Sequence, residues 1–288
     1  MASSEAPDPN PHVPQYSVPA LACDAHCHVF GPAAAFPYAP SRAYTPQDAP
    51  RERLAALHAV LRIERAVIVQ ASCHGADNRA MLDAIAHSGG RYRGVAIVDE
   101  SFEDADYVRL HEGGIRGVRF NFVRHLGGMP DINVVHDVIQ RVKPLGWHLV
   151  VHLDAVDIVE LSSVLRSLPV PFVIDHMGRV KASAGVDQVP FRALLDLLQV
   201  ENCWVKVCGS ERVSATGPPF HDAIPFARAL VEAAPDRVLW GTDWPHPNVG
   251  RFMPNDGDLV DLVPLIAPDE ASRRKLLVEN PARLYEWQ

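Results

Sequence analysis

Asp24-Ala25-His26-Cys27-His28 is the stretch of the chain whose residue types and spacing most directly suggest chemistry. In an extended strand successive side chains alternate between two faces, so His26 and His28 point the same way and the intervening Cys27 points the other way. Two neighbouring imidazoles at a strand end suit a metal ion or a polarised carbonyl group, and they are unsuited to a hydrophobic core. The sequence therefore predicts a functional site built around these two histidines.

The elements that position this pair follow a regular alternation of apolar, β-branched runs and segments of helical period. The runs predict eight strands, ending at about residues 28, 70, 98, 122, 153, 176, 208 and 243. Each is followed by a predicted helix, and the units recur about every 25–35 residues, the length of one βαβ unit. This alternation predicts a parallel sheet of the α/β class, and eight repeats favour a (β/α)8 TIM barrel. An open doubly wound sheet is the alternative, but no glycine-rich phosphate loop follows the first strand.

Polar residues gather at the carboxyl ends of these predicted strands. In a barrel those ends form one rim around a shared pocket, whereas chance would scatter such residues along the helices. A single histidine at a strand end is more often structural, but a His-x-His pair with two further strand-terminal histidines and an aspartate indicates a functional site. The candidates are His26, His28, Ser72, His74, Arg119, His152, His176, Arg212, Asp243 and His246.

Imidazole and carboxylate groups favour zinc or another divalent ion, and a catalytic zinc site keeps one position open for water. The predicted metal ligands are His26, His28, His152 and Asp243. Asp243 would also be the general base for the attacking water, with His176 beside it. Without a metal, the histidines can still stabilise an oxyanion. Arg119 and Arg212, with Arg124 as a weaker candidate, can hold carboxylate or sulfonate groups in forked hydrogen bonds.

Composition narrows the class of protein. The 288 residues carry a formal net charge of −8, which argues against nucleic-acid binding. No run approaches the roughly 18–20 apolar residues of a membrane span. Five cysteines without a CxxC pair fit reduced thiols in a cytoplasmic protein. Residues 1–20 are Pro-rich and lack the basic and apolar regions of a secretory signal, so we expect a flexible tail before a single barrel domain over residues 21–288.

The sequence resembles the amidohydrolase superfamily, whose barrel carries His-x-His on strand one, histidines on strands five and six, and an aspartate on strand eight. Within it the chain is most similar to the 2-pyrone-4,6-dicarboxylate lactonases, through the segments DAHCHVFGP, FPYAP, VIVQASCHG, GIRGVRFNF, VIDHMGR, WGTDWPHPN and NPARLY. The resemblance implies hydrolysis of a cyclic ester with acidic substituents, with Asp243 activating water. The scissile carbonyl would be surrounded by His26, His28 and His176. The substrate-binding positions that it implies are Tyr44, Ser72, His74, Arg119, Arg212 and His246.

Two positions depart from the lactonase pattern. Those enzymes work without metal and carry a tyrosine where this chain has His152, so the complete ligand set favours zinc here. They also carry an arginine six residues after the one matching Arg119, where this chain has His125 beside Arg124. Both changes favour the zinc-containing 4-sulfomuconolactone hydrolases, which are similar in sequence, as an alternative.

The leading hypothesis is a hydrolase that opens a small anionic lactone or pyrone in aromatic-compound degradation. A metal-dependent decarboxylase of the same superfamily is the second hypothesis, which release of carbon dioxide would distinguish. A non-catalytic barrel that only binds a ligand is the third, and it requires that Asp243→Asn leave function intact. The sequence indicates no oligomeric state.

Overall fold

Eight strands form the central sheet of the protein, for which a computed structural model describes residues 2–3, 5–123 and 130–287. They are β1 (Cys23–Cys27), β2 (Arg65–Val69), β3 (Tyr92–Ala96), β4 (Ile115–Asn121), β5 (His148–His152), β6 (Phe172–Ile174), β7 (Cys203–Lys206) and β8 (Val238–Leu239). The strands are parallel and hydrogen-bonded in their order along the chain. Two short segments, Ala2–Ser3 and Tyr44–Thr45, pair separately.

Helices connect consecutive strands, and four more follow the last strand, β8. They are α1 (Arg51–Leu61), α2 (Arg79–Ala86), α3 (Asp104–Glu112), α4 (Ile132–Val142), α5 (Ala155–Arg166), α6 (Val189–Leu197), α7 (Ser210–Val213), α8 (Ile224–Ala233), α9 (Asp256–Asp261), α10 (Val263–Ile266), α11 (Glu270–Arg274) and α12 (Asn280–Leu284). Short 3-10 segments lie at Ser72–His74, Lys143–Leu145, His176–Arg179, Ala182–Ala184 and His221–Ala223, and a π-helical turn at Lys275–Glu279. Each strand is followed by at least one helix, so the predicted (β/α)8 barrel is confirmed.

The barrel interior is filled by side chains that alternate along the strands, as the pleat requires. They come from every strand except β4, with one residue from the C-terminal end of the chain, and comprise Cys23, Ala25, Val67, Val69, Val95, Val150, Val173, Trp204, Leu239 and Tyr285. A larger apolar cluster packs between the outer face of the sheet and the helices. These two layers hold the strand ends in fixed positions relative to one another.

Irregular hydrogen bonds join β1 to the segment that follows β8. The backbone N–H of Asp243 donates to the carbonyl of His26 at 2.7 Å. The Asp24 carboxylate accepts from the backbone N–H of Thr242 at 3.0 Å and from its hydroxyl at 2.6 Å. This seam places the histidines of β1 beside Asp243.

The sixth and eighth strands are among those that end earlier than the sequence predicts. The sixth is predicted through His176, but it ends at Ile174, and His176 has a left-handed φ of +50°. The eighth is predicted through Asp243, but it ends at Leu239, and Asp243 has a φ of +67°. Non-glycine residues in this region carry a conformational cost of about 1–3 kcal/mol, and such residues cluster at active sites. Both strained positions belong to the predicted site.

Residues 5–20 form neither a helix nor a strand, and they contact the barrel at α9. The backbone N–H of His12 donates to the Asn255 side chain at 3.1 Å, and that of Tyr16 donates to Asp261 at 2.8 Å. Within the described ranges, no helix has the length and apolar character needed to cross a bilayer.

Candidate active site

Three imidazole rings converge on one oxygen of Asp243 at the carboxyl end of the barrel. This oxygen, Oδ1, lies 3.2 Å from Nε2 of His28, 3.5 Å from Nε2 of His26 and 3.9 Å from Nε2 of His176. All four side chains are buried. His28 is held from its other side, where Nδ1–H donates to the Val69 carbonyl at 2.7 Å. The structure thus brings together the four residues that the sequence predicts to be catalytic.

Arg212 binds the other oxygen of Asp243. Oδ2 accepts from the Nε–H group of Arg212 at 2.7 Å, and Nη2, which donates to the Pro247 carbonyl at 2.9 Å, lies 2.5 Å from the same oxygen. Burial alone would raise the pKa of Asp243, but the Arg212 charge, together with the histidines, holds this pKa well below its usual value. Asp243 is therefore a carboxylate at neutral pH and is able to accept a proton.

Three histidines of the site, His26, His152 and His176, are uncharged at neutral pH. Burial, reinforced by the charge of the nearby Lys206, lowers the pKa of His26 to about 4. Burial also lowers the pKa of His176 and of His152 well below the usual value, and the charge of Arg119 adds to the effect at His152. Neutral imidazole is the form that binds a metal ion.

His152 ends β5 and faces the same cavity. Its Nδ1–H donates to Oδ1 of Asn121 at 3.0 Å, while its buried Nε2 has no hydrogen-bond partner among the described residues. The ring lies beside that of His176, with centroids 5.4 Å apart. Because Nδ1 carries the proton, Nε2 of neutral His152 presents its lone pair, as a metal ligand would.

The donor atoms suit a divalent metal ion. His26, His28 and Asp243 form a buried group whose donor atoms all lie within 4.8 Å of one another. Because Nδ1–H of His28 is used by a carbonyl, the uncharged form of this ring directs the lone pair of Nε2 at a carboxylate oxygen of Asp243, and two acceptors this close favour a cation between them. Two imidazoles and a carboxylate match a known catalytic zinc set. Of the four predicted ligands, the structure groups these three and places His152 on the adjacent wall.

Three arginines lie on the wall of the cavity, whose empty volume is about 530 Å³ including the part open to solvent. Each is paired with a carboxylate: Arg119 with Asp175 at 3.1 Å, Arg179 with Asp154 at 3.0 Å, and Arg212 with Asp243. The cavity is lined by His28, Tyr44, Ser72, Arg119, His152, His176, Arg179, Arg212, Asp243, Pro247 and Asn248. A guanidinium group has five N–H donors, more than its paired carboxylate uses, and the remaining donors suit an anionic ligand.

Two other predicted substrate ligands, His74 and His246, are not on this wall. His74 uses both ring nitrogens to hold a loop, since Nδ1–H donates to the Pro37 carbonyl at 3.2 Å and Nε2 accepts from the Gly31 N–H at 3.3 Å. Arg124 lies outside the described residues, so its role stays a prediction. His246 has no exposed surface and lies behind the wall.

An ion pair explains why His246 is buried. Its Nε2 lies 3.1 Å from Oδ1 of Asp256, and its Nδ1 lies 3.7 Å from Oε1 of Glu211. Burial opposes the charged form, but Asp256 and Glu211 together raise the pKa of His246 to about 10. His246 is therefore an imidazolium that binds two protein carboxylates, and the structure does not place it against a substrate.

Sequence reasoning missed Arg179 and Cys208. Arg179 ends a segment, His176–Arg179, in which every residue has a positive φ, and this turn carries its side chain over the rim of the barrel. The sulfur of Cys208 lies 3.2 Å from Nδ1 of His176, so this thiol contacts the site as well as the core. The glycine in HMGR is the only sequence feature that could have suggested the turn.

Lys206 and Asp175 were also missed, and they lie directly beneath the site. Lys206 has no exposed surface, and its Nζ is 3.1 Å from Nδ1 of His26. Asp175 is buried as well, and its Oδ1 is 3.2 Å from the same Nδ1. A single lysine in the otherwise apolar strand β7 was the available indication of an internal ion pair.

A family described as "Amidohydrolase" matches residues 23–287. The chain belongs to the amidohydrolase family. It is 50% identical over 285 residues to a 2-pyrone-4,6-dicarbaxylate hydrolase of Comamonas testosteroni, a match covering 96% of this chain and 93% of that protein. It is 42% identical to a 4-sulfomuconolactone hydrolase of Rhizobium radiobacter, covering 94% of this chain and 91% of that protein.

Solved structures agree with these matches. The crystal structure of a probable 2-pyrone-4,6-dicarboxylic acid hydrolase from Acinetobacter baumannii, with citric acid bound, is similar to this amidohydrolase with a TM-score of 0.82. The two sequences are 28% identical, and the match covers 93% of this chain and 100% of that one. The family match runs from β1 to beyond α12, so it includes every strand of the barrel.

Proposed function

We propose that this amidohydrolase opens the ring ester of an anionic lactone or pyrone of the 2-pyrone-4,6-dicarboxylate type. The observation that carries the proposal is a carboxylate, Asp243, faced by three imidazoles inside a cavity walled by three arginines. A carboxylate base beside hydrogen-bonding rings suits acyl transfer to water, and the arginines suit an acidic substrate. The curated relatives named for hydrolysis of a pyrone dicarboxylate and a sulfonated lactone support the same reaction class.

Asp243 moves the proton in this reaction. Its carboxylate accepts a proton from water while the water oxygen forms a bond to the lactone carbonyl carbon. The bond between that carbon and the ring oxygen then breaks, and Asp243 returns the proton to the ring oxygen. The product is one open chain with a new carboxyl group and a new hydroxyl group, so one water is consumed and Asp243 is regenerated.

Neighbouring side chains stabilise the charge that develops on the carbonyl oxygen. His176 lines the cavity beside Asp243, where a ring N–H can donate to the oxyanion. Arg119 and Arg179 are fixed by their own carboxylates and bind the acidic substituents of the substrate. Water attack and ring opening then take place on a substrate whose carbonyl is held over Asp243.

A zinc ion would be held by His26, His28 and Asp243, with His152 as a further candidate ligand. When bound, zinc supplies a Lewis acid that polarises a carbonyl group and makes water more acidic. The lone pairs that His28 and His152 direct into the site support zinc as the cofactor.

Ring opening can be followed by the ultraviolet absorbance of purified protein with 2-pyrone-4,6-dicarboxylate. We expect Asp243→Asn to lower kcat by about 100- to 10,000-fold, the usual contribution of a general base. Asp104→Asn is the matched control, because the Asp104 side chain is 90% exposed at the start of α3. Absence of turnover of every carboxylated or sulfonated lactone tested, with and without zinc, would refute the proposal.

A second candidate substrate is 4-sulfomuconolactone. It is favoured by His152, whose Nε2 has no hydrogen-bond partner among the described residues and would add a fourth ligand to the predicted zinc set, and by the 42% identity to a hydrolase named for that lactone. Values of kcat/KM for the two substrates, measured together with zinc content by elemental analysis, decide between them. Release of carbon dioxide instead of ring opening would indicate a decarboxylase.

We also propose that the enzyme works in the cytoplasm. All five cysteines are free and buried, as expected where thiols stay reduced. Thiol titration of the denatured protein, purified from cells without a reductant, should detect five free thiols. Fewer thiols would indicate an oxidising compartment.

A further inference from the structure

Lys206 is a lysine inside the barrel, directly beneath the candidate site. Its Nζ lies 3.1 Å from Nδ1 of His26 and 3.4 Å from Oδ1 of Asp175, and its side chain has no exposed surface. Taking an ammonium group out of water is costly even when it is paired, and an apolar residue would fill this space at no such cost. The position therefore points to a role in the site above it.

Nδ1 of His26 has two competing partners. It lies 3.2 Å from Oδ1 of Asp175 and 3.1 Å from Nζ of Lys206. A carboxylate can only accept a hydrogen bond, whereas an ammonium group can only donate one. One nitrogen of a neutral ring cannot do both, so the partner that it uses decides which ring nitrogen carries the proton.

The choice has consequences at Nε2 of His26, which lies 3.5 Å from Oδ1 of Asp243. When Nδ1 accepts from Lys206, Nε2 carries the proton and directs an N–H group at the Asp243 carboxylate. When Nδ1 donates to Asp175, Nε2 directs a lone pair at that carboxylate, an arrangement that favours a cation between them. The first state suits a site without metal, and the second suits a site that holds one.

We propose that Lys206 is a positioning residue that holds His26 in the tautomer protonated on Nε2 and thereby weakens metal binding. Asp175 has cations beside both oxygens without His26, because Nη2 of Arg119 lies 3.1 Å from its Oδ2 and Nζ of Lys206, which carries three donors, lies 3.4 Å from its Oδ1. Nδ1 of His26 is therefore left to Lys206. The inference rests on the proposed function only for the role of His26 in the site.

Nitrogen-15 NMR of the imidazole groups reports the tautomer directly, without substrate. In zinc-free protein we expect His26, assigned with the His26→Gln variant, to be protonated on Nε2. In Lys206→Met, which keeps the chain length but has no donor, we expect the proton on Nδ1. Titration calorimetry should show that Lys206→Met binds zinc about 10–100-fold more tightly than the wild-type protein. Substitution of a residue that contacts a metal ligand typically changes metal affinity by this factor.

Lys275→Met is the matched control, because the Lys275 ammonium lies at the surface, 2.8 Å from Asp236. It should change neither the tautomer nor the zinc affinity. A His26 protonated on Nδ1 in the zinc-free wild-type protein overturns the proposal, and this spectrum suffices even if Lys206→Met does not fold. An unchanged zinc Kd in folded Lys206→Met also overturns it. Because neither measurement involves turnover, failure here is separate from failure of the lactonase assay.

Discussion

Replacing Arg212 tests whether its charge keeps the candidate base ionised. The side chains of Arg212 and Asp243 are 12% and 1% exposed, so water screens their interaction little. Arg212→Met keeps an unbranched chain and removes the guanidinium that pairs with Oδ2 of Asp243 and donates to it through Nε–H. We expect the pKa of Asp243 to rise, because burial, which favours the neutral acid, is then opposed only by the histidines.

Coulomb's law gives the size of the effect. Two unit charges about 4 Å apart attract by about 4 kcal/mol at an effective dielectric constant of about 20. Losing an attraction of this size disfavours the ionised carboxylate, so the pKa of Asp243 should rise. Asp243 accepts a proton only when it is ionised, so activity is present above its pKa and is lost as the pH falls through it. The acid limb of the Arg212→Met profile should therefore lie at a higher pH.

The measurement is kcat/KM for ring opening as a function of pH. Arg179→Met is the matched control, because Arg179 lines the same cavity but is paired with Asp154. We expect it to lower kcat/KM at every pH without moving the acid limb. An acid limb at the same pH in Arg212→Met and in the wild-type enzyme would refute the reasoning.

Two further predictions concern histidines of different kinds. His152→Ala should remove stoichiometric zinc, measured by elemental analysis, and most activity; full zinc occupancy after the substitution would show that His152 is not a ligand. His246, whose pKa is raised from 6.5 to about 10, should stabilise the fold fully below about pH 6.5 and lose that contribution as the pH rises through about 10. His246→Gln should cost about 3–5 kcal/mol in urea unfolding at pH 6 and much less near pH 10, because it leaves buried carboxylates unpaired. An equal cost at both pH values would contradict the ion pair.

The barrel could be predicted because buried parallel strands require apolar residues on both faces, and such runs are visible in sequence. The same logic located His26, His28 and Asp243, since the carboxyl ends of the strands of a barrel share one rim. Their predicted grouping needed no distances. The prediction used only the residue at which each apolar segment ends and the direction of the chain.

Contacts that depend on the stagger of strands could not be predicted in this way. Lys206 lies within β7, and only the three-dimensional register shows that its ammonium group is beneath His26. His246 follows the eighth run by a few residues, but a φ of +58° helps to turn it behind the wall toward Asp256. Backbone angles of this kind leave little trace in residue types, because non-glycine residues adopt them under tertiary constraint.

The seam between β1 and the segment after β8 makes activity a reporter of complete folding. The bond from Thr242 to Asp24 joins residues 218 positions apart, and the contact of His28 with Asp243 spans 215. Contacts of such sequence separation carry a large loop-closure entropy and form slowly. In a refolding experiment, circular dichroism should register helices first, and ring-opening activity should return only when the two ends of the barrel have met.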